Sequence, residues 1–292
     1  MIQNPVIYIK NSLFTNLAKE IAVVSDSDIN VNKKNQFFKL ENPEEAVGKV
    51  IALAEKFKKV FVVLDKWNWD SIYRLFKSGK TNIFIFNLNA GLTGLWYKVS
   101  MLDLDDIDIH NVNIYEPMDI TNIDSKVENF FQEDKITFLR IPNKDMEEKV
   151  WWEETDIDYD EILNLAEFGI QGFTGTMLVY GSMFQEWLQA ANLLQEDSQW
   201  MDVFWIGDYK AKFSPLLIRS VLWQERIIVV GDFDSERFRK KVNSDLYDIW
   251  SEKIDVHFIT PENLSCVEDE SQLSFCGMDG LAIYSRIKEI LS

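Results

Sequence analysis

With 292 residues, a hydrophobic share of 47% and a charged share of 27%, the chain reads as a folded protein long enough for about two domains. Its formal charge of −18 argues against nucleic-acid or anionic-membrane surfaces, which need basic patches. Two histidines, His110 and His257, leave little room for a histidine-rich metal site or a Ser/His/Asp triad. The two cysteines, Cys266 and Cys276, form no CxxC pair, so no zinc site and no disulfide framework is expected. No run approaches the roughly 18 apolar residues of a membrane span. The first residues lack a charged leader followed by an apolar stretch, so no secretory signal is expected and the expected setting is cytoplasmic. Acid–base work in such a chain falls to carboxylates, a cofactor or a partner.

In chain order, residues 12–20 carry a helical period through Leu13, Leu17 and Ile21. Residues 21–26 read as a buried strand ending in the acidic turn Asp26-Ser27-Asp28. FFKL (37–40) is a short strand. Pro43 then suits the first turn of a helix that places Val47, Val50, Ile51 and Ala54 on one face. KVFVVLD (59–65) is a continuous apolar run of the kind parallel sheets bury on both faces. A helix ending near Gly79, the strand NIFIFNL, the small-residue loop Ala90–Gly94 and a possible short helix over VSMLDLDDIDI follow. The strand VNIYEP (112–117), a helix over 120–132 and the strand ITFLRIP (136–142) close a first alternating series.

An acid-rich stretch holding Trp151-Trp152 interrupts that alternation and reads as a linker. Strands at 176–182, 201–208, 226–234 and 253–260 then alternate with helices to the C-terminal GLAIYSRIKEIL. The expectation is therefore two α/β domains, at 1–147 and 173–292, joined by 148–172, the first built on a mostly parallel sheet. Between the strands at 37–40 and 59–65, three carboxylates, Glu41, Glu44 and Glu45, stand at a helix start. Acids there complement the helix dipole, which alone accounts for their presence. A carboxylate between two strand ends is also suited to protonation chemistry.

The order of these stretches resembles the transketolase family of thiamine-diphosphate enzymes, specifically the C-terminal subunit of a split transketolase. The carrying residues are VVSDSDI, FFKLENPE, the aromatics after KKVFVV, NAGLTG, TFLRIP, MLVYGSMFQEWLQAANLL, RIIVVGDFD and the stretch 258–291. The chain is also similar to 2-oxo acid dehydrogenase β subunits. The resemblance implies a thiamine-diphosphate pyrimidine-binding domain followed by a smaller transketolase C-terminal domain. Counting from both flanking strands puts the family's catalytic glutamate at Glu44. That glutamate hydrogen-bonds a pyrimidine ring nitrogen and so prepares the cofactor to lose its thiazolium proton. Trp69 and Trp67 stand where the family's ring-stacking aromatics lie, and Asp28 at the acid lining the same pocket.

The sequence has no GDG…N motif, the family's means of holding the diphosphate and Mg²⁺. The resemblance thus implies an N-terminal partner subunit carrying the pyrophosphate-binding domain, in a homodimer or α₂β₂ arrangement, with Mg²⁺ bound mainly by that partner. No metal ligand is assigned to this chain. It would then be a transferase moving a two-carbon ketol unit between sugar phosphates only in complex. After the Ala-Gly-Leu-Thr loop, Gly94-Leu95-Trp96-Tyr97-Lys98 holds no histidine, and Pro142-Asn143-Lys144 holds no arginine for substrate phosphate. Two alternatives accordingly stand beside the transketolase reading: a 2-oxo acid dehydrogenase β subunit, and a catalytically degenerate structural or regulatory subunit.

Overall fold

Runs of Val, Ile and Phe that alternate with amphipathic helices leave the strands buried on both faces, the condition for a parallel sheet. The computed structural model describes residues 2–17, 20–41, 43–65, 69–88, 90, 111–147, 157–160, 165–168, 174–181, 184–209, 213, 215–224, 226–232, 236–249, 255–262 and 272–292. The chain divides into two compact units, Met1–Val150 and Trp151–Ser292.

The first unit opens with β1 (Ile2–Gln3) and a helical stretch: α1 (Pro5–Tyr8), a π turn (Ile9–Leu13) and α2 (Phe14–Asn16). Asn4 caps it, accepting from the Val6 and Ile7 N–H groups at 3.0 and 3.2 Å. There follow β2 (Ala22–Ser25), β3 (Gln36–Lys39), α3 (Pro43–Ala54), β4 (Val60–Leu64), α4 (Trp69–Phe76) and β5 (Ile83–Leu88). The unit ends with β6 (Val112–Tyr115), α5 (Ile120–Phe130), β7 (Ile136–Ile141) and β8 (Met146–Glu147). Six of these strands form one sheet in the order β3-β2-β4-β5-β7-β6. Every neighbouring pair in it is parallel. β1 and β8 pair antiparallel apart from it.

One face of this sheet is held by phenylalanine. Phe84 and Phe86, two residues apart on β5, stack at 4.6 Å, and Phe61 from β4 stacks on Phe84 at 5.4 Å. Phe14 of α2 meets Phe61 edge-on at 5.6 Å, and Phe130 of α5 meets Phe84 edge-on at 5.1 Å. Each fully buried Phe contributes about 1.5–3 kcal/mol, so this cluster fixes both helices to the sheet. Residues one step along the strands point to the other face, where Phe76 of α4 packs on Phe138 of β7 at 5.5 Å. The sheet is covered on both sides, as its apolar strands require.

The second unit has β9 (Ile157–Asp160), β10 (Leu165–Phe168), β11 (Gly175–Tyr180), α6 (Phe184–Glu196), β12 (Met201–Ile206) and α7 (Pro215–Gln224). It continues through β13 (Arg226–Gly231), α8 (Glu236–Ile249), β14 (Asp255–Ile259), α9 (Gln272–Phe275) and α10 (Gly280–Leu291). Its sheet runs β14-β13-β11-β12-β10-β9. The four strands from β14 to β12 are parallel, whereas β10 pairs antiparallel with both β12 and β9. Strands β9 and β10 lie inside 148–172, the stretch expected to be a linker. Ile157-Asp158-Tyr159-Asp160 alternates apolar and acidic residues, which suits the edge of a sheet and not its doubly buried centre. At the end of β11, Gly181 has φ +86°, and a Cβ there would lie 2.1 Å from the Asp232 carboxylate. Only glycine fits that turn without strain.

Two charged groups occupy the carboxyl ends of β6 and β7. Glu116, the residue after β6, pairs with Arg140 of β7 at 2.9 Å, and both side chains are wholly buried. Removing one member of such a pair strands the other charge in low dielectric. In urea unfolding, Arg140→Met is expected to cost about 3–5 kcal/mol, and adding Glu116→Leu is expected to recover most of that loss. A single variant as stable as wild type would refute the pairing. Beyond β7, burial lowers the Lys144 ammonium to about 8. The unfolded chain holds that proton up to the ordinary lysine value, about 10.4. Between these values the unfolded state carries more protons, so stability rises with pH. Wild type is therefore expected to gain stability over Lys144→Met from pH 8 to 10, and a constant difference would discard the desolvation.

Candidate functional site

All six strands of the first unit's large sheet run the same way, so their carboxyl ends share one edge. Chain direction across the sheet reverses there. From β2 the chain steps out to β3 at the edge, then returns to β4 on the other side of β2. Open α/β sheets bind ligands outside the carboxyl ends of strands at such a reversal.

The sequence-predicted residues fall at this place. In the spatial order β3-β2-β4, the chain leaving β3 carries Glu44, the chain leaving β2 carries Asp28, and the chain leaving β4 carries Trp69. Glu44 is the second residue of α3, behind Pro43, whose fixed φ suits a helix start. Trp69 is the first residue of α4. Helices α3 and α4 pack against each other. Trp67, His110 and the loop after Ala90 lie outside the described residues. Asp28 is exposed and pairs with Lys39 of β3 at 2.5 Å. Exposed pairs of this kind contribute little stability, so Asp28 is positioned more by its backbone than by that contact.

Beside these residues the structure brings together three that sequence reasoning did not assign a role. Asp26, directly after β2, accepts the Asp65 backbone N–H with both carboxylate oxygens, at 3.1 and 3.2 Å. Asp65, directly after β4, accepts from Lys10 Nζ at 2.5 Å. Lys10 belongs to the π turn, 55 residues away in sequence. The acidic turn at 26–28 was a visible signal, but nothing in the sequence joins it to Asp65 or Asp65 to Lys10. Ser25 and Ser27 complete the turn: the Ser27 N–H donates to Ser25 Oγ at 3.1 Å. At β3, the Lys49 ammonium donates to the Lys39 carbonyl at 3.0 Å, binding the second turn of α3 back to the strand end.

A surface hollow of about 550 Å³ lies elsewhere, lined by Gln36, Phe38, Leu53, Phe57 and neighbouring charged residues. Gln36 is the first residue of β3 and Leu53 is in the last turn of α3, so this hollow is at the amino ends of the strands, opposite Glu44. Among the described residues no group of three His, Cys, Asp or Glu side chains could hold a metal ion. No helix among them is long and apolar enough to cross a membrane. Cys276 is buried, and desolvation pushes its thiol up. His257 sits on edge strand β14 with Nε2 3.0 Å from Asp255, in the second unit.

No protein-family model matches the sequence, and no curated protein matches it. Solved structures do. A split-gene transketolase, in an inactive beta4 tetramer, superposes with a TM-score of 0.64 at 16% identity, over 92% of this chain and 91% of that one. Transketolase from Campylobacter jejuni subsp. jejuni NCTC 11168 superposes with a TM-score of 0.68 at 12% identity. That match takes in 94% of this chain but 44% of the longer one, so the chain spans under half the length of that transketolase. Over nearly its whole length, this chain has the transketolase fold.

Proposed function

We propose that this chain is the C-terminal subunit of a thiamine-diphosphate-dependent transketolase, active only with an N-terminal partner that binds the diphosphate and Mg²⁺. The observation that supports the reading is a fold shared with a split-gene transketolase over 92% of this chain, with the segments that carry Asp28, Glu44 and Trp69 leaving the neighbouring strands β2, β3 and β4. A carboxylate in the first turn of α3 and an aromatic opening α4 suit a flat, nitrogen-bearing ring such as the pyrimidine. The lack of a GDG…N motif in the sequence supports assigning the metal and diphosphate to the partner. Thiamine diphosphate, when bound, supplies the carbanion and electron-sink chemistry of ketol transfer.

In this reading Glu44 holds a proton between its carboxyl group and a ring nitrogen. A drier setting, once the partner covers the edge, disfavours the charged carboxylate and favours that sharing. Trp69, and Trp67 with it, supply the apolar face against which the ring lies. Asp28 borders the same pocket. The similar split-gene chain forms an inactive tetramer of one chain type. The same is proposed here: alone, this chain self-associates without activity, and with its partner it forms α₂β₂.

Two other readings use the same frame. A 2-oxo acid dehydrogenase β subunit would share Glu44 and the partner but act on pyruvate or a branched-chain acid. A degenerate subunit would keep the fold and lose the reaction, as the missing histidine after the Ala90–Gly94 loop favours.

The deciding experiment is co-purification with a chain bearing GDG…N, followed by thiamine diphosphate binding and ketol transfer from xylulose 5-phosphate. Wild type is expected to bind and react, and Glu44→Gln to lower turnover by about 10²–10⁴-fold. Full activity in Glu44→Gln would remove Glu44 from the catalytic role. Turnover of pyruvate or a branched-chain 2-oxo acid in place of the sugar phosphate would select the dehydrogenase reading. Absence of cofactor binding in the assembled complex would select the degenerate one.

A further inference from the structure

The exit of β4 is held from two directions. Lys10 is anchored by its neighbours: Ile9 is fully buried, Leu13 nearly so, and both belong to the apolar cluster on the sheet. Its carbonyl accepts the Asn30 N–H at 2.8 Å, which lays the segment after β2 against the π turn. From that anchored backbone its side chain reaches Asp65, and the two side chains are only 25% and 21% exposed. The opposite attachment comes from Asp26, which grips the Asp65 N–H. One residue is thus tied by its carboxylate to the N-terminal helical stretch and by its backbone to β2.

Neither tie is needed to form the sheet, whose ladder between β2 and β4 ends at Ser25 and Val63. Asp26 and Asp65 bring two carboxylates to adjacent strand ends, and Lys10 sets a cation against the second of them. A π turn inserts an extra residue into the helical repeat and re-aims the side chains beside it, a feature frequent at functional sites. From Asp65 to Trp69 is four residues, a span of at most about 14 Å, so a fixed Asp65 restricts where α4 can begin.

We propose that Lys10 is a positioning residue: with Asp26 it sets where the chain leaves β4, and through that exit the place of Trp69 at the start of α4. What is positioned rests on the reading of Trp69 given under Proposed function; the clamp itself does not.

Residue-resolved hydrogen exchange on the full-length chain tests it without any cofactor, comparing wild type with Lys10→Met and Lys10→Arg and with urea unfolding run in parallel. Lys10→Met is expected to speed exchange of the Asp65 amide about tenfold, with Ile85 and Phe86 at the centre of β5 unchanged. Lys10→Arg, which keeps the cation, is expected to restore most of the protection. The proposal is overturned if Asp65 exchanges as in wild type, if Ile85 and Phe86 accelerate equally, or if Lys10→Arg rescues nothing. Because this readout needs no ligand, it can fail while the transketolase reading stands, and that reading can fail in the Glu44→Gln assay while the clamp stands.

Discussion

The parallel direction of the six strands in the first unit is the constraint on which the rest depends. A parallel strand can be reached only by a crossover long enough to span the sheet; α3, α4 and α5 supply three of these crossovers and cover both faces, while β2 reaches β3 through the helix-free segment 26–35. The strand residues must then be apolar on either side, which is why β4 reads Val-Phe-Val-Val-Leu without a polar break. The same direction gathers every carboxyl end on one edge. Helices α3 and α4 leave that edge with their amino ends toward it, so Glu44 and Trp69 arrive there without any contact between them being required.

Charge is distributed around this frame according to solvent access. Deep in the sheet, Glu116 and Arg140 meet with no exposure at all, an arrangement stable only while both are present. At the rim, Asp28 and Lys39 pair in water and contribute little. Lys10 and Asp65 lie between these limits, shielded enough to be worth more than a surface pair and open enough to avoid a heavy desolvation cost. The gradient runs along the edge where the proposed chemistry sits.

The second unit solves the same problem differently. Four of its strands repeat the parallel arrangement, and β9 and β10 extend it antiparallel. Its own strand reversal, between β11 and β13, is closed down by the Gly181 turn against the buried Asp232 carboxylate. The contrast with the first unit is chemical: there the corresponding ends carry a glutamate and a tryptophan at helix starts.

Most of the α/β alternation was legible along the chain because hydrophobic period separates helix from buried strand, and β2–β7 and β11–β14 lie on the runs that announced them, whereas the two-residue β1 and β8 had no such run. The acid-rich stretch hid β9 and β10, since edge strands that alternate with aspartate lack the apolar run of a central strand. The N-terminal helical stretch begins at Pro5, well before its clear period, because its first turns are set by the Asn4 cap and the core contact of Ile9. The sequence by itself determined the apolar central strands, most of the helices between them and the carboxylates at the start of α3, all of which depend on neighbours within a few residues. Only the tertiary structure decided that β2 lies between β3 and β4. It alone brought Asp28, Glu44 and Trp69 to one edge and set Lys10 against Asp65, because strand order and ion pairing across 55 residues arise from packing and leave no periodic trace in the chain.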